Sequence, residues 1–142
     1  MSGHNTDMVI VAIIHDNANR VLIARRADSK QFQPGMFECI GGHLEPGESI
    51  EDGLRREVFE EIGAKVKVGQ IFDAFTYSDE EGYKIEVSYL CTLEPGETPT
   101  LNPEDHSEFL WISADEIDKF EKEDEETEAL RKAFKILNKE EK

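Results

Sequence analysis

Glu57, Glu60 and Glu61 stand at positions i, i+3 and i+4, beside apolar residues Ile50, Leu54, Val58 and Ile62 that recur every fourth position. That recurrence predicts a helix from about Ile50 to Ile62, with all three carboxylates on one face within about one turn. Left alone in water, like charges at i and i+4 cost roughly 0.2–0.5 kcal/mol per pair. The cost rises where one flank is desolvated. Glu61 borders the apolar stripe and is expected to be the most buried acid. The three acids also lie toward the helix C-terminus, where the dipole disfavours negative charge. A hard divalent cation relieves these penalties, because such ions take carboxylate and backbone carbonyl oxygens. Magnesium in addition keeps several waters and binds substrate phosphates. The chemistry predicted is a Mg2+ (or Mn2+) site that opens onto a phosphate chain. The competing reading is a solvated acidic helix, in a chain with 32 acidic residues.

The wider spacing decides between the two. Gly42, Glu48, Arg56, Glu57, Val58, Glu60, Glu61 and Gly63 fit G-x5-E-x7-R-E-(aliphatic)-x-E-E-x-G. A chain of this composition matches those invariant letters by accident about once in 10^5. The segment 42–64 resembles the Nudix box of the Nudix hydrolase superfamily, with Ala64 where a larger aliphatic residue usually closes it. Leu22–Arg26 and Pro34–Glu38 are similar to the approach to the box in MutT-like members. Glu108–Trp111, followed by Asp115–Ile117, resembles their C-terminal strand and short helix.

The resemblance implies an α/β fold, a Nudix-type α/β/α sandwich with a mixed β-sheet. It implies Mg2+-dependent hydrolysis of a nucleoside diphosphate linked to another moiety. Glu57, Glu60, Glu61 and the backbone carbonyl of Gly41 would be metal ligands. Arg56 would pair with Glu48 to brace the loop against the helix. Arg26 matches a position that contacts substrate phosphate. Glu108 matches an extra catalytic carboxylate, with Glu104 and Asp105 as close rivals. The proton of the attacking water falls to Glu61 or Glu108. The sequence markers of ADP-ribose and dinucleoside-polyphosphate enzymes are missing at Ser78-Asp79-Glu80. Asp118-Lys119-Phe120 offers no asparagine of the kind that selects oxidised guanine. The default substrate is a nucleoside triphosphate, giving a monophosphate and pyrophosphate. The alternatives are ADP-ribose, a nucleotide sugar or a dinucleoside polyphosphate, or a non-catalytic nucleotide-binding module.

These residues must be positioned by the elements around them. Ser49 is the expected N-cap of the acidic helix, Asp52 stands in the capping-box position, and Gly63 is the stop. Gly41–Glu48, with three glycines and a proline, reads as a tight loop entering that helix. Gly53 inside the helix leaves either room for metal, water or substrate, or a close packing contact. Strands are expected at Met8–Ile14, Arg20–Arg25, Met36–Ile40, Val66–Tyr77, Tyr83–Leu93 and Glu108–Ile112. Asp16–Asn19 is turn chemistry, so the first two should form a hairpin. Ser113–Glu116 reads as the capping box of a short helix. Glu125–Asn138 reads as an amphipathic helix that packs through Leu130, Phe134 and Leu137. Trp111 is expected in the core. Phe32, Phe75 and Tyr77 are candidates for the rim of the pocket, and His43 for a minor role inside the box.

All 142 residues fit one domain. The net charge of −16 gives no basic footprint for nucleic acid and is repelled by an anionic membrane surface. The expected partner is therefore a small nucleotide, with a cation mediating the contact. The longest apolar run, Met8–Ile14, is too short to span a membrane. Met1–Asp7 does not read as a secretory signal. Cys39 and Cys91 lie in no paired spacing, so the expected compartment is the cytoplasm. Oligomeric state is not legible from these features.

Overall fold

The structure is a computed structural model, and it describes residues 6–29, 35–119 and 125–139. Its centre is Thr6–Ile14 (β1), whose residues Ile10–Ile14 are all buried. Side chains alternate across a strand, and here the two faces feed different cores. Ile10, Ala12 and Ile14 join one cluster, whereas Val11 and Ile13 join the other.

Val21–Arg26 (β2), Phe37–Glu38 (β3) and Ile40–His43 (β4) precede the helix Ile50–Ile62 (α1). Val66–Asp79 (β5), Gly82–Leu93 (β6) and His106–Ile112 (β7) follow it. A 3-10 segment at Ala114–Lys119 and the helix Glu125–Lys139 (α2) close the chain. One sheet has the order β4-β1-β6-β5 and the other β3-β2-β7. The first is mixed, because β1 runs antiparallel to β4 and parallel to β6. The second is antiparallel.

α1 buries Leu54, Val58 and Ile62 against Ile10, Ile14, Leu22 and Ile40. α2 buries Leu130, Ala133, Phe134 and Leu137 against Val11, Ile13, Val21 and Ile23. Each of the Leu, Ile, Val and Phe side chains among these, fully buried, contributes roughly 1.5–3 kcal/mol relative to exposure. Helix, sheets and helix form the expected α/β/α sandwich. Among the described residues no helix is long and apolar enough to cross a membrane.

Two local expectations are corrected. β1 and β2 touch as a hairpin only at its root, through the His15–Val21 bridge and the Asp16 N–H donating to the Arg20 carbonyl. Beyond it they separate into different sheets, because both edges of β1 are already taken by β4 and β6. The strand expected over Met36–Ile40 divides at Cys39. Phe37–Glu38 pairs with β2 and Ile40–His43 with β1, so the chain crosses between sheets at Cys39. The Ser113 box does form: the Glu116 carboxylate accepts from the Ser113 N–H at 3.0 Å.

Candidate active site

α1 begins and ends as its sequence dictates. Ser49 Oγ accepts the Asp52 N–H at 3.1 Å. Gly63 closes the helix at φ 62°, a left-handed conformation that glycine adopts without a Cβ penalty. With both ends fixed, the acidic face is aimed at β4 and the turn 44–48; Gly41–His43, expected within a loop, are instead strand, because they pair with Val9–Val11 of β1.

Arg56 ties that turn to the helix. Its Nε and Nη2 donate to the two Glu48 oxygens at 2.6 and 3.0 Å, and Nη2 also donates to the His43 carbonyl at 3.0 Å. This two-point geometry is the strong form of an arginine–carboxylate pair. The hydrogen bond to Glu48 raises the guanidinium pKa further above its ordinary value. The same bond holds the Glu48 carboxyl below the usual range. Arg56 Nη1 also lies 3.3 Å from Glu60 and 3.6 Å from Glu57.

A cleft of about 300 Å3 opens beside this brace, lined by Gly41, Glu57, Glu60 and Glu61 on the box side. Arg26, Glu38, Asp105 and His106 line it from the second sheet and the loop before β7. Glu57 and Glu61 have side chains 14% exposed, whereas Glu60 is 58% exposed. Burial is the main cause that pushes the Glu57 carboxyl up, with the nearby acids adding and Arg56 opposing. Glu61 is pushed up to about 9 by burial first, then by the charges of Glu57, Glu38 and Asp105, against a hydrogen bond from the Gly41 N–H. Carboxylates that raise one another's pKa in an oxygen-rich cleft are a donor set suited to a hard cation. Gly42 makes the approach feasible, since a Cβ there would overlap the Glu57 carboxylate.

The structure thus brings Gly41, Arg26, Glu57, Glu60 and Glu61 together, with Arg56 and Glu48 directly behind. It does not bring Glu108 to them. Glu108 sits opposite Arg25 in the β2–β7 register, pairs with it at 3.4 Å, and is 44% exposed. Asp105, held by Asn102 at 2.9 Å, reaches the cleft instead. Glu104 is exposed on the same turn.

Of the three helix acids, Glu61 is as buried as Glu57 and far more so than Glu60. Gly53 leaves no room for a ligand. A Cβ there would meet Leu44 Cδ1 at 2.7 Å, Ile10 Cδ1 at 2.9 Å and Glu48 Oε1 at 3.0 Å, so the glycine serves close packing. Trp111 and Phe109 pack on the α1 core. Phe75 and Tyr77 stack on each other at 6.0 Å and are not among the residues of this cleft. Phe32 and Phe120 lie outside the described residues.

Two cleft residues were not singled out from the sequence. His106 is 1% exposed, and its Nε2 lies 2.8 Å from Glu38 Oε2 and 3.9 Å from Glu61 Oε1. Glu38 also meets Arg26 Nη1 at 3.1 Å. Burial pushes the Glu38 carboxyl up, but its bonds to His106 and Arg26 outweigh this and leave it below its ordinary value. An ionised carboxylate only accepts, so His106 Nε2 is the donor.

A family model described as NUDIX domain matches residues 5–134. The chain belongs to the Nudix family. Nucleoside triphosphatase NudI of Escherichia fergusonii is 32% identical over 124 residues, covering 79% of this chain and 86% of that protein. NAD-capped RNA hydrolase NUDT12 of Macaca fascicularis is 49% identical over 69 residues, covering 44% of this chain. That match spans only 14% of the length of the longer relative. Among solved structures, the MutT protein from Methanosarcina mazei shares the fold with a TM-score of 0.75 at 22% identity, covering 100% of this chain and 99% of that one.

Proposed function

We propose that this Nudix protein is a Mg2+-dependent pyrophosphohydrolase of a nucleoside triphosphate. Water attacks a phosphorus, the P–O–P bond on its far side breaks, and a nucleoside monophosphate and pyrophosphate leave. The observation that carries this reading is the single cleft shared by Glu57, Glu60, Glu61 and Arg26. Their chemistry fits both partners of the reaction: acids for the cation, a guanidinium for the phosphate.

Glu57, Glu60, Glu61 and the Gly41 carbonyl would hold the ion. A bound divalent cation neutralises phosphate oxygens and lowers the pKa of water. Arg26 holds a phosphate through directed donors. Arg56, locked on Glu48 and the His43 carbonyl, keeps the end of β4 and the turn 44–48 in register with α1, so that the acids stay convergent. The water's proton goes to Glu61 or to Asp105. Asp105 takes the part expected of Glu108, because it lines the cleft and Glu108 is engaged by Arg25.

The choice of a nucleoside triphosphate is supported by the NudI relative, which covers 79% of the chain. Two buried cysteines outside any disulfide support a reducing, cytoplasmic setting. The test is a substrate panel with and without Mg2+, with products separated by chromatography. It holds nucleoside triphosphates, ADP-ribose, a nucleotide sugar, a dinucleoside polyphosphate and NAD-capped RNA. Mg2+-dependent release of pyrophosphate from a triphosphate, lost in Glu61→Gln, is the expected result. Binding without turnover of any member would instead favour a non-catalytic nucleotide-binding module.

A further inference from the structure

Glu38 is an odd residue to find in this cleft. It places another negative charge near Glu61 and raises that carboxyl's pKa. It also repels the anionic substrate that the site is proposed to bind. A carboxylate that opposes the phosphate ligand has another use, and its contacts show which. One oxygen holds Arg26 at 3.1 Å and the other holds His106 at 2.8 Å. The three residues come from β3, β2 and β7, with Arg26 facing His106 where the β2–β7 register shifts.

Resting on the hydrolase reading above, we infer that Glu38 is a positioning residue that fastens Arg26 to the second sheet, keeping the guanidinium on the phosphate side of the cleft and off the α1 carboxylates. Arg26 lines the same cleft as Glu57, Glu60 and Glu61. A guanidinium seeks carboxylates in pairs, and an arginine released from Glu38 finds three of them. It then occupies the cation's ligands and leaves the phosphate. Glutamine cannot replace Glu38, since Arg26 and His106 Nε2 both donate and an amide offers only one acceptor atom.

The test is a double-mutant cycle on the full chain, with Glu38→Gln and Arg26→Gln alone and combined. Mn2+ affinity is measured by calorimetry without nucleotide, and KM and kcat are measured with Mg2+ and a nucleoside triphosphate. Glu38→Gln is expected to weaken Mn2+ binding about fivefold or more and to raise KM more than it lowers kcat. In the Arg26→Gln background the same substitution is expected to change either quantity less than about twofold. Equal weakening in both backgrounds, or the loss of one bound Mn2+ per chain, would make Glu38 a plain charge or a ligand and overturn the inference. So would a lowered melting temperature with Mn2+ affinity and KM unchanged. If Glu38→Gln does not fold, the cycle is run with Glu38→Asp, whose shorter arm keeps the charge but cannot span both partners. A wild-type chain that binds Mn2+ and hydrolyses nothing removes the hydrolase reading alone, because the metal arm of the cycle is still read.

Discussion

At the scale of single residues, Glu61 carries the largest stored cost. Its folded pKa of about 9 lies above the ordinary 4.5. Between those values the folded protein binds more protons than the unfolded chain, so unfolding free energy falls as pH rises. The metal-free protein is therefore expected to lose stability steadily from about pH 4.5 to pH 9. Glu61→Gln should flatten that slope and melt higher than wild type at pH 8, while losing most turnover. Melting curves in chelator across this range check it, and a slope unchanged in the variant would refute it. Glu57, Glu60, Glu61 and the Arg56–Glu48 brace were legible because helical spacing and box spacing are local. Glu38 and His106 lie 68 positions apart and meet only through the register of the second sheet, which no local spacing records. Glu108 failed for the same reason: register against Arg25, and not residue type, decides which acid of 104–108 faces the cleft.

At the scale of elements, α1 was legible down to its ends, since caps are written in two or three adjacent residues. Ser49→Ala removes the bond to the Asp52 N–H and is expected to cost about 1 kcal/mol, readable as a lowered urea midpoint with an unchanged slope. Gly53 shows where local reasoning runs out. By helix propensity, Gly53→Ala should gain about 1 kcal/mol. The new methyl, however, meets Leu44 and Ile10 within 3 Å, and Ile10 is fully buried. Overpacking of this kind costs about 1–3 kcal/mol, so the variant is expected to be net destabilised by about 1 kcal/mol. A denaturation midpoint at or above wild type would show that the two side chains yield. The hairpin between β1 and β2 was misjudged because turn chemistry fixes only the root. The partners that claim the rest of each strand come from far along the chain.

At the scale of the whole molecule, sixteen surplus negative charges and a cleft of convergent acids make folding and cation binding parts of one balance. The sandwich holds Glu57 and Glu61 in place because α1 is anchored by Leu54, Val58 and Ile62 in a fully buried core. The acids cannot relax apart without unpacking the helix, so a bound ion must act on the stability of the entire fold. At a concentration of 100 times its Kd, a ligand contributes about 2.7 kcal/mol, or about 5–10 °C in a chain of this length. Protons compete for the same carboxylates, because Glu61 and Glu57 both hold their protons above the usual range. The Mg2+-induced rise in melting temperature is therefore expected to be larger at pH 8 than at pH 5.5, with the sequence Glu57, Glu60, Glu61 as its origin. Scanning calorimetry at both pH values, with Mg2+ and with chelator, measures it. Equal shifts at the two pH values would mean that the ion binds elsewhere on the acidic surface, where protons are not displaced.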